Sequence, residues 1–140
     1  TQKLEEFNNS PRISQKVRSI EEGKIRRKPL KPFEKYLDLE NPDRVCFITN
    51  KTMEKKSIDH TIPRSFLYSD DLWNLVYVDK SVNSSKGKTP PSEEMIVKLE
   101  QRNVKLFNIL SSEGVDDVNV QELKMSIDQG WVRKFWNQFR

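Results

Sequence analysis

The clearest periodicity lies in the last third of the chain. Ile96, Leu99, Leu106, Phe107 and Leu110 return at helical spacing behind Ser92, whose hydroxyl suits an N-cap. Glu93 and Glu94 fall in the first turn, where carboxylates meet the positive end of a helix. Leu123, Ile127, Trp131, Phe135 and Phe139 recur every fourth position, which predicts one further helix from about Val120 with a core-facing stripe. Gly130 weakens the middle of that helix and predicts a kink. The centre of the chain is patterned differently. Arg44 to Ile48 and Lys56 to Asp59 read as the two strands of a short hairpin around Asn50-Lys51-Thr52, and Leu75 to Val78 as a further β-prone run. Thr61 to Asp71 reads as a loop, with Ser69-Asp70-Asp71 as a turn or helix start. Asp79 suits the N-cap of a helix from Lys80 that carries Asn83 and Lys86, closed by Lys88-Thr89-Pro90-Pro91.

Upstream, Thr1 to Asn9 predicts a short helix broken at Ser10-Pro11, and Ile13 to Arg27 a second, basic one. Lys28-Pro29-Leu30-Lys31-Pro32 predicts an extended linker into Phe33 to Leu39, because each proline removes a donor and restricts the residue before it. Asn41-Pro42-Asp43 then turns the chain. Together these elements predict an α+β protein in three segments. Residues 1–40 form a basic, partly helical N-terminal segment, 41–91 a core with β structure, and 92–140 a helical pair packed on that core.

Hydrophobic residues make up 34% of the 140 and charged ones 33%, which implies a modest core under a wet surface. No apolar run approaches the ~20 residues of a membrane span, so no membrane partner is expected. The single cysteine, Cys46, allows no internal disulfide and fits a cytoplasmic setting. A threonine at position 1 points to a module of a larger parent protein or complex. Charge is uneven. Between Pro11 and Tyr36 nine Lys and Arg residues, Arg26, Arg27 and Lys28 among them, face three glutamates, a net +6 in a chain of net +4. Such a cluster favours polyanions through counterion release and steering, although a charge cluster alone is more often a solvated arm.

The chemistry concentrates between Ser57 and Lys86. His60, the only histidine, follows Asp59 at a predicted strand end; Asn74 comes 14 residues after it and Asn83 nine further on. An imidazole can take a proton from water near neutral pH. A carboxylate and an amide oxygen are hard ligands suited to magnesium or manganese.

In Asp59-His60 with Ile62-Pro63 behind it, Leu72-Trp73-Asn74-Leu75-Val76, and Asn83-Ser84-Ser85-Lys86, the block from Arg44 to Pro91 resembles the HNH endonucleases in their H-N-N form. The spacing and the final Asn-x-x-Lys are similar to the cleavage domain of RNA-guided CRISPR nucleases. The wording around Trp73 and Asn83 is similar to HNH modules of bacterial restriction and phage-defence proteins. The resemblance implies a ββα-metal unit packed against flanking helices and metal-dependent hydrolysis of DNA in a bacterial or phage-like cytoplasm, leaving 5′-phosphate and 3′-hydroxyl ends. It implies His60 as general base, Asp59 and Asn83 as ligands of one Mg2+ or Mn2+, and Asn74 as the residue that pins the loop and helps orient His60. Arg64 and Lys86 would contact phosphate, with Arg26, Arg27 and Lys28 as further nucleic-acid contacts. One such site cuts one strand at a time, so duplex cleavage implies a homodimer or two visits.

The sequence departs from that pattern in one respect. Many HNH proteins hold a structural zinc on two Cys-x-x-Cys pairs, whereas Thr49 stands where a partner of Cys46 would be. No structural zinc is expected, and the unit must be held by packing, with Trp73 and Phe66 as anchors. Trp131 is expected in the core. Two rival functions remain: a nucleic-acid-binding module with a silent nuclease site, and an HNH nuclease acting on RNA or single-stranded DNA.

Overall fold

The computed structural model describes residues 29–63, 69–86 and 90–139. The two helices expected before Lys28, the basic residues Arg26, Arg27 and Lys28, and the proposed anchor Phe66 lie outside them. In place of an extended linker, Lys31–Phe33 forms a 3-10 turn with Pro32 in its first positions, where a missing N–H costs nothing. Helix α1 (Glu34–Glu40) continues from it and buries Tyr36 and Leu37.

The sheet differs from the expected hairpin. Strand β1 (Lys56–His60) pairs antiparallel with β2 (Leu75–Asp79), in a register running from Lys56 opposite Asp79 to His60 opposite Leu75. Residues 44–48 contribute only the isolated bridge of Val45 to Thr52. They curl instead of extending, because the Cys46 N–H closes on Lys51 O and the Asn50 N–H on Cys46 O, at 2.8 Å each, with Asn50 at φ 62°. Phe47 then donates its N–H to Tyr77 O, which seats the turn against β2.

Helix α2 (Lys80–Lys86) starts where β2 ends. Asp79 caps it by accepting the Ser81 N–H at 3.1 Å, and its other oxygen accepts the Glu54 N–H at 2.9 Å. These bonds, the one from Glu54 first, hold the Asp79 carboxyl below its ordinary range. Helix α3 (Glu93–Ser112) is capped by Ser92, whose hydroxyl accepts the Met95 N–H, and it buries Ile96, Leu99, Leu106 and Leu110. Helix α4 (Val118–Gln129) is capped by Asp117, which also accepts the Tyr36 hydroxyl at 2.5 Å and so ties α4 to α1.

The expected C-terminal pair is three helices, because the last one is broken rather than kinked. Gly130 takes φ 64° and ψ 40° and ends α4, and α5 (Trp131–Phe139) leaves in a new direction. A Cβ at position 130 would meet nothing within 4 Å, so the backbone alone resists a side chain there. Gly130→Ala should therefore lower stability by about 1–2 kcal/mol in urea unfolding, the cost of a left-handed L-residue.

One core joins these elements. Trp73, from the turn before β2, stacks on Phe135 of α5 at 5.5 Å between ring centroids and meets Trp131 edge-on at 6.1 Å. Trp131 is buried as expected, and the cluster runs from Phe33 to Trp136. The result is an α+β fold, a two-stranded antiparallel sheet with five α-helices among the described residues. None of those helices is long and apolar enough to cross a membrane.

Candidate active site

Alternation along β1 sends Ser57 and Asp59 to one face of the sheet and Lys56, Ile58 and His60 to the other. The second face meets α1: Lys56 Nζ lies 3.3 Å from Asp38 Oδ1, and the Tyr77 hydroxyl donates to the same oxygen at 2.7 Å. The first face meets α2. Asn83 donates from Nδ2 to Ser57 Oγ at 3.3 Å, and Ser57 Oγ donates to Val78 O at 3.0 Å. Asn83 thus stands over the face that carries Asp59, two residues along the strand from its contact. Beyond Asp59 on that side is a recess of about 190 Å³, walled by Phe47, Ile48, Val76, Pro91 and Met95.

His60 ends the strand and is buried. Its Nε2 lies 2.7 Å from Asp70 Oδ1, and both side chains are largely shielded from solvent. Sequence reading treated Asp70 only as part of a turn or helix start, and an acidic pair just before Asn74 carries no signal that separates the two roles. Consecutive strand residues point to opposite faces, so a phosphate reached by both Asp59 and His60 must lie off the end of β1 rather than over either face.

Asn74 is fully buried in the 3-10 turn Leu72–Asn74. Its side chain closes on the loop after His60 like a backbone partner. Oδ1 accepts the Ile62 N–H and Nδ2 donates to Ile62 O, both at 2.8 Å, while Asn74 O accepts the Thr61 N–H at 3.0 Å. These bonds satisfy backbone groups that are otherwise sealed from water.

Two residues of α3 grip the same turn, and sequence reading missed both. Arg102 donates from Nη1 to Leu75 O at 2.6 Å and from Nη2 to Leu72 O at 3.2 Å, and Asn103 donates from Nδ2 to Trp73 O at 2.9 Å. Burial pulls the Arg102 guanidinium down to about 10, with Glu40 opposing the shift, so it stays charged at neutral pH. The signal available was Asn103 itself, a polar residue on the apolar stripe between Leu99 and Leu106.

Of the remaining candidates, Lys86 is placed by its backbone alone, at the last position of α2, and Arg64 lies outside the described residues. Cys46 is buried, and its sulfur accepts the Asp79 N–H at 3.4 Å. Burial by itself would raise its thiol; the hydrogen bonds from Thr49 and Asp79 outweigh burial and leave it below the ordinary value. Lys98 of α3 reaches the same turn, donating to Phe47 O and, at 2.6 Å, to Asn50 Oδ1.

The two-stranded antiparallel sheet is followed directly by a helix, a ββα order that carries Asp59, His60 and Asn83, with Asn74 in the turn before β2. The family model described as HNH endonuclease matches residues 46–92, about a third of the chain, so that segment is similar to the HNH endonucleases. HNH endonucleases in general are nucleases that use divalent metal ions. No curated protein and no solved structure matches the chain.

Proposed function

We propose that this chain is a metal-dependent HNH endonuclease domain that hydrolyses DNA phosphodiester bonds, with a role in restriction or phage defence. The observation that carries this reading is Asn83 held over the Asp59 face of β1 while His60 closes the strand end, its ring fixed by Asp70. His60 accepts the proton of the attacking water, and Asn74 holds the loop that follows it.

The donor set fits a hard divalent cation. Among the described residues no group of three or more His, Cys, Asp or Glu side chains gathers where it could hold a metal. One carboxylate and one amide oxygen, with the remaining positions left to phosphate and water, match the habit of Mg2+ and Mn2+. Asp59 and Asn83 would hold that ion, which when bound polarises the phosphate and stabilises charge on the leaving oxygen. The basic segment that includes Arg26, Arg27 and Lys28, together with Arg64 and Lys86, would meet the nucleic-acid backbone, and such contacts position without specifying sequence.

The test is cleavage of supercoiled plasmid, linear duplex, single-stranded DNA and RNA by the whole chain in Mg2+ or Mn2+. Nicked circles should accumulate before linear DNA, since one site cuts one strand. Asp59→Ala and Asn83→Ala should each slow cleavage by about 10²-fold or more, the scale of lost charge stabilisation in a transition state, and raised metal should rescue Asn83→Ala the better of the two. Binding of DNA without cleavage of any substrate in either ion would instead leave a nucleic-acid-binding module with a silent site. Preferential cutting of RNA or single strands would move the substrate and keep the chemistry.

A further inference from the structure

We propose that Arg102 and Asn103 of α3 are positioning residues for the hydrolytic site, setting the place of His60 through the turn that carries Asn74. The inference rests on the reading of His60 as general base.

The carbonyls they hold, those of Leu72, Trp73 and Leu75, bracket Asn74 on both sides. The two residues are also locked to each other, because Arg102 donates from Nε and Nη2 to Asn103 Oδ1 at 3.1 and 2.9 Å. Asn74 in turn holds Thr61 and Ile62, the two residues directly after His60. A continuous chain of short, buried hydrogen bonds thus runs from a helix of 20 residues to the segment that carries the imidazole.

The choice of side chains supports a directional role. A buried guanidinium bears a desolvation cost that an apolar residue on this stripe would avoid. Its acceptors here are two backbone carbonyls and an amide oxygen, which gain orientation from a planar fork that a flexible ammonium cannot supply. Loops tolerate displacement far more readily than helices, so the strand end that carries His60 gains precision when the loop directly after it is tied to a rigid element.

Two substitutions in the whole chain test this. Asn103→Asp keeps an acceptor for Arg102, now charged, and turns the donor to Trp73 O into a repelling oxygen; Arg102→Lys keeps the charge and gives up the grip on two carbonyls. The protein has a single histidine, so its imidazole NMR signals report His60 without ambiguity. In either variant those signals should shift, and the Ile62 amide should exchange with solvent at least about tenfold faster while amides in α4 stay protected, a local opening rather than a global one. With DNA, kcat should fall at least about tenfold and KM change less than about twofold, since small misplacements of a reacting group act on the chemical step.

Unchanged His60 and Ile62 signals in folded variants would overturn the proposal. So would equal loss of protection across α3, α4 and α5, which marks a merely structural role. If Asn103→Asp does not fold, Arg102→Lys carries the test. An inert wild type would remove the nuclease reading alone, because the NMR measurements still judge the coupling.

Discussion

Replacing His60 with alanine should abolish detectable cleavage, a loss of about 10²–10⁴-fold, the range that a positioned general base contributes. The substitution removes the only imidazole in the chain, so no second histidine can take over. It also strips Asp70 of a 2.7 Å contact inside the fold. Loss of a partner for a buried polar group costs about 1–3 kcal/mol, so the variant's melting must be followed beside its activity. Metal-dependent nicking that persists at more than about a tenth of the wild-type rate in a folded His60→Ala protein would exclude His60 as the base, given that expected range.

The largest effect on stability is expected at Trp73. Its ring is buried between Trp131 and Phe135, and its backbone carbonyl is the acceptor for Asn103. Trp73→Ala should cost about 3–5 kcal/mol, the range for truncating a buried aromatic, and urea unfolding followed by fluorescence would measure it. A cost under about 1 kcal/mol would mean that the turn carrying Asn74 is not anchored by α5, since even modest cavities in a packed core exceed that.

Much of this architecture was legible from residue pattern. The caps at Ser92 and Asp79 were readable because a side-chain oxygen just before a helix has one common use. The stripe from Ile96 to Leu110 was readable because a long helix repeats its signal. The hairpin partner of β1 was not, since Arg44 to Ile48 is as β-prone as Leu75 to Val78, and only tertiary contacts decide which one pairs. Gly130 predicts a kink by propensity, which gives the weakness but not the sign of φ that turns weakness into a break. At the site, Asp59, His60, Asn74 and Asn83 stood out by type and spacing. Asp70, Arg102 and Asn103 did not, because their meaning depends on the atoms they reach across 10 to 30 residues of chain.

The turn at Cys46 has a consequence for handling the protein. Its sulfur accepts an amide N–H and Lys98 donates to the neighbouring carbonyl of Phe47, so the bend is closed by the protein's own hydrogen bonds. Small domains stapled by zinc lose their shape and their chemistry together when a chelator is added. On the proposed nuclease reading those two events should come apart: EDTA should silence cleavage while the thermal transition stays in place, and magnesium added back should restore turnover without any refolding lag.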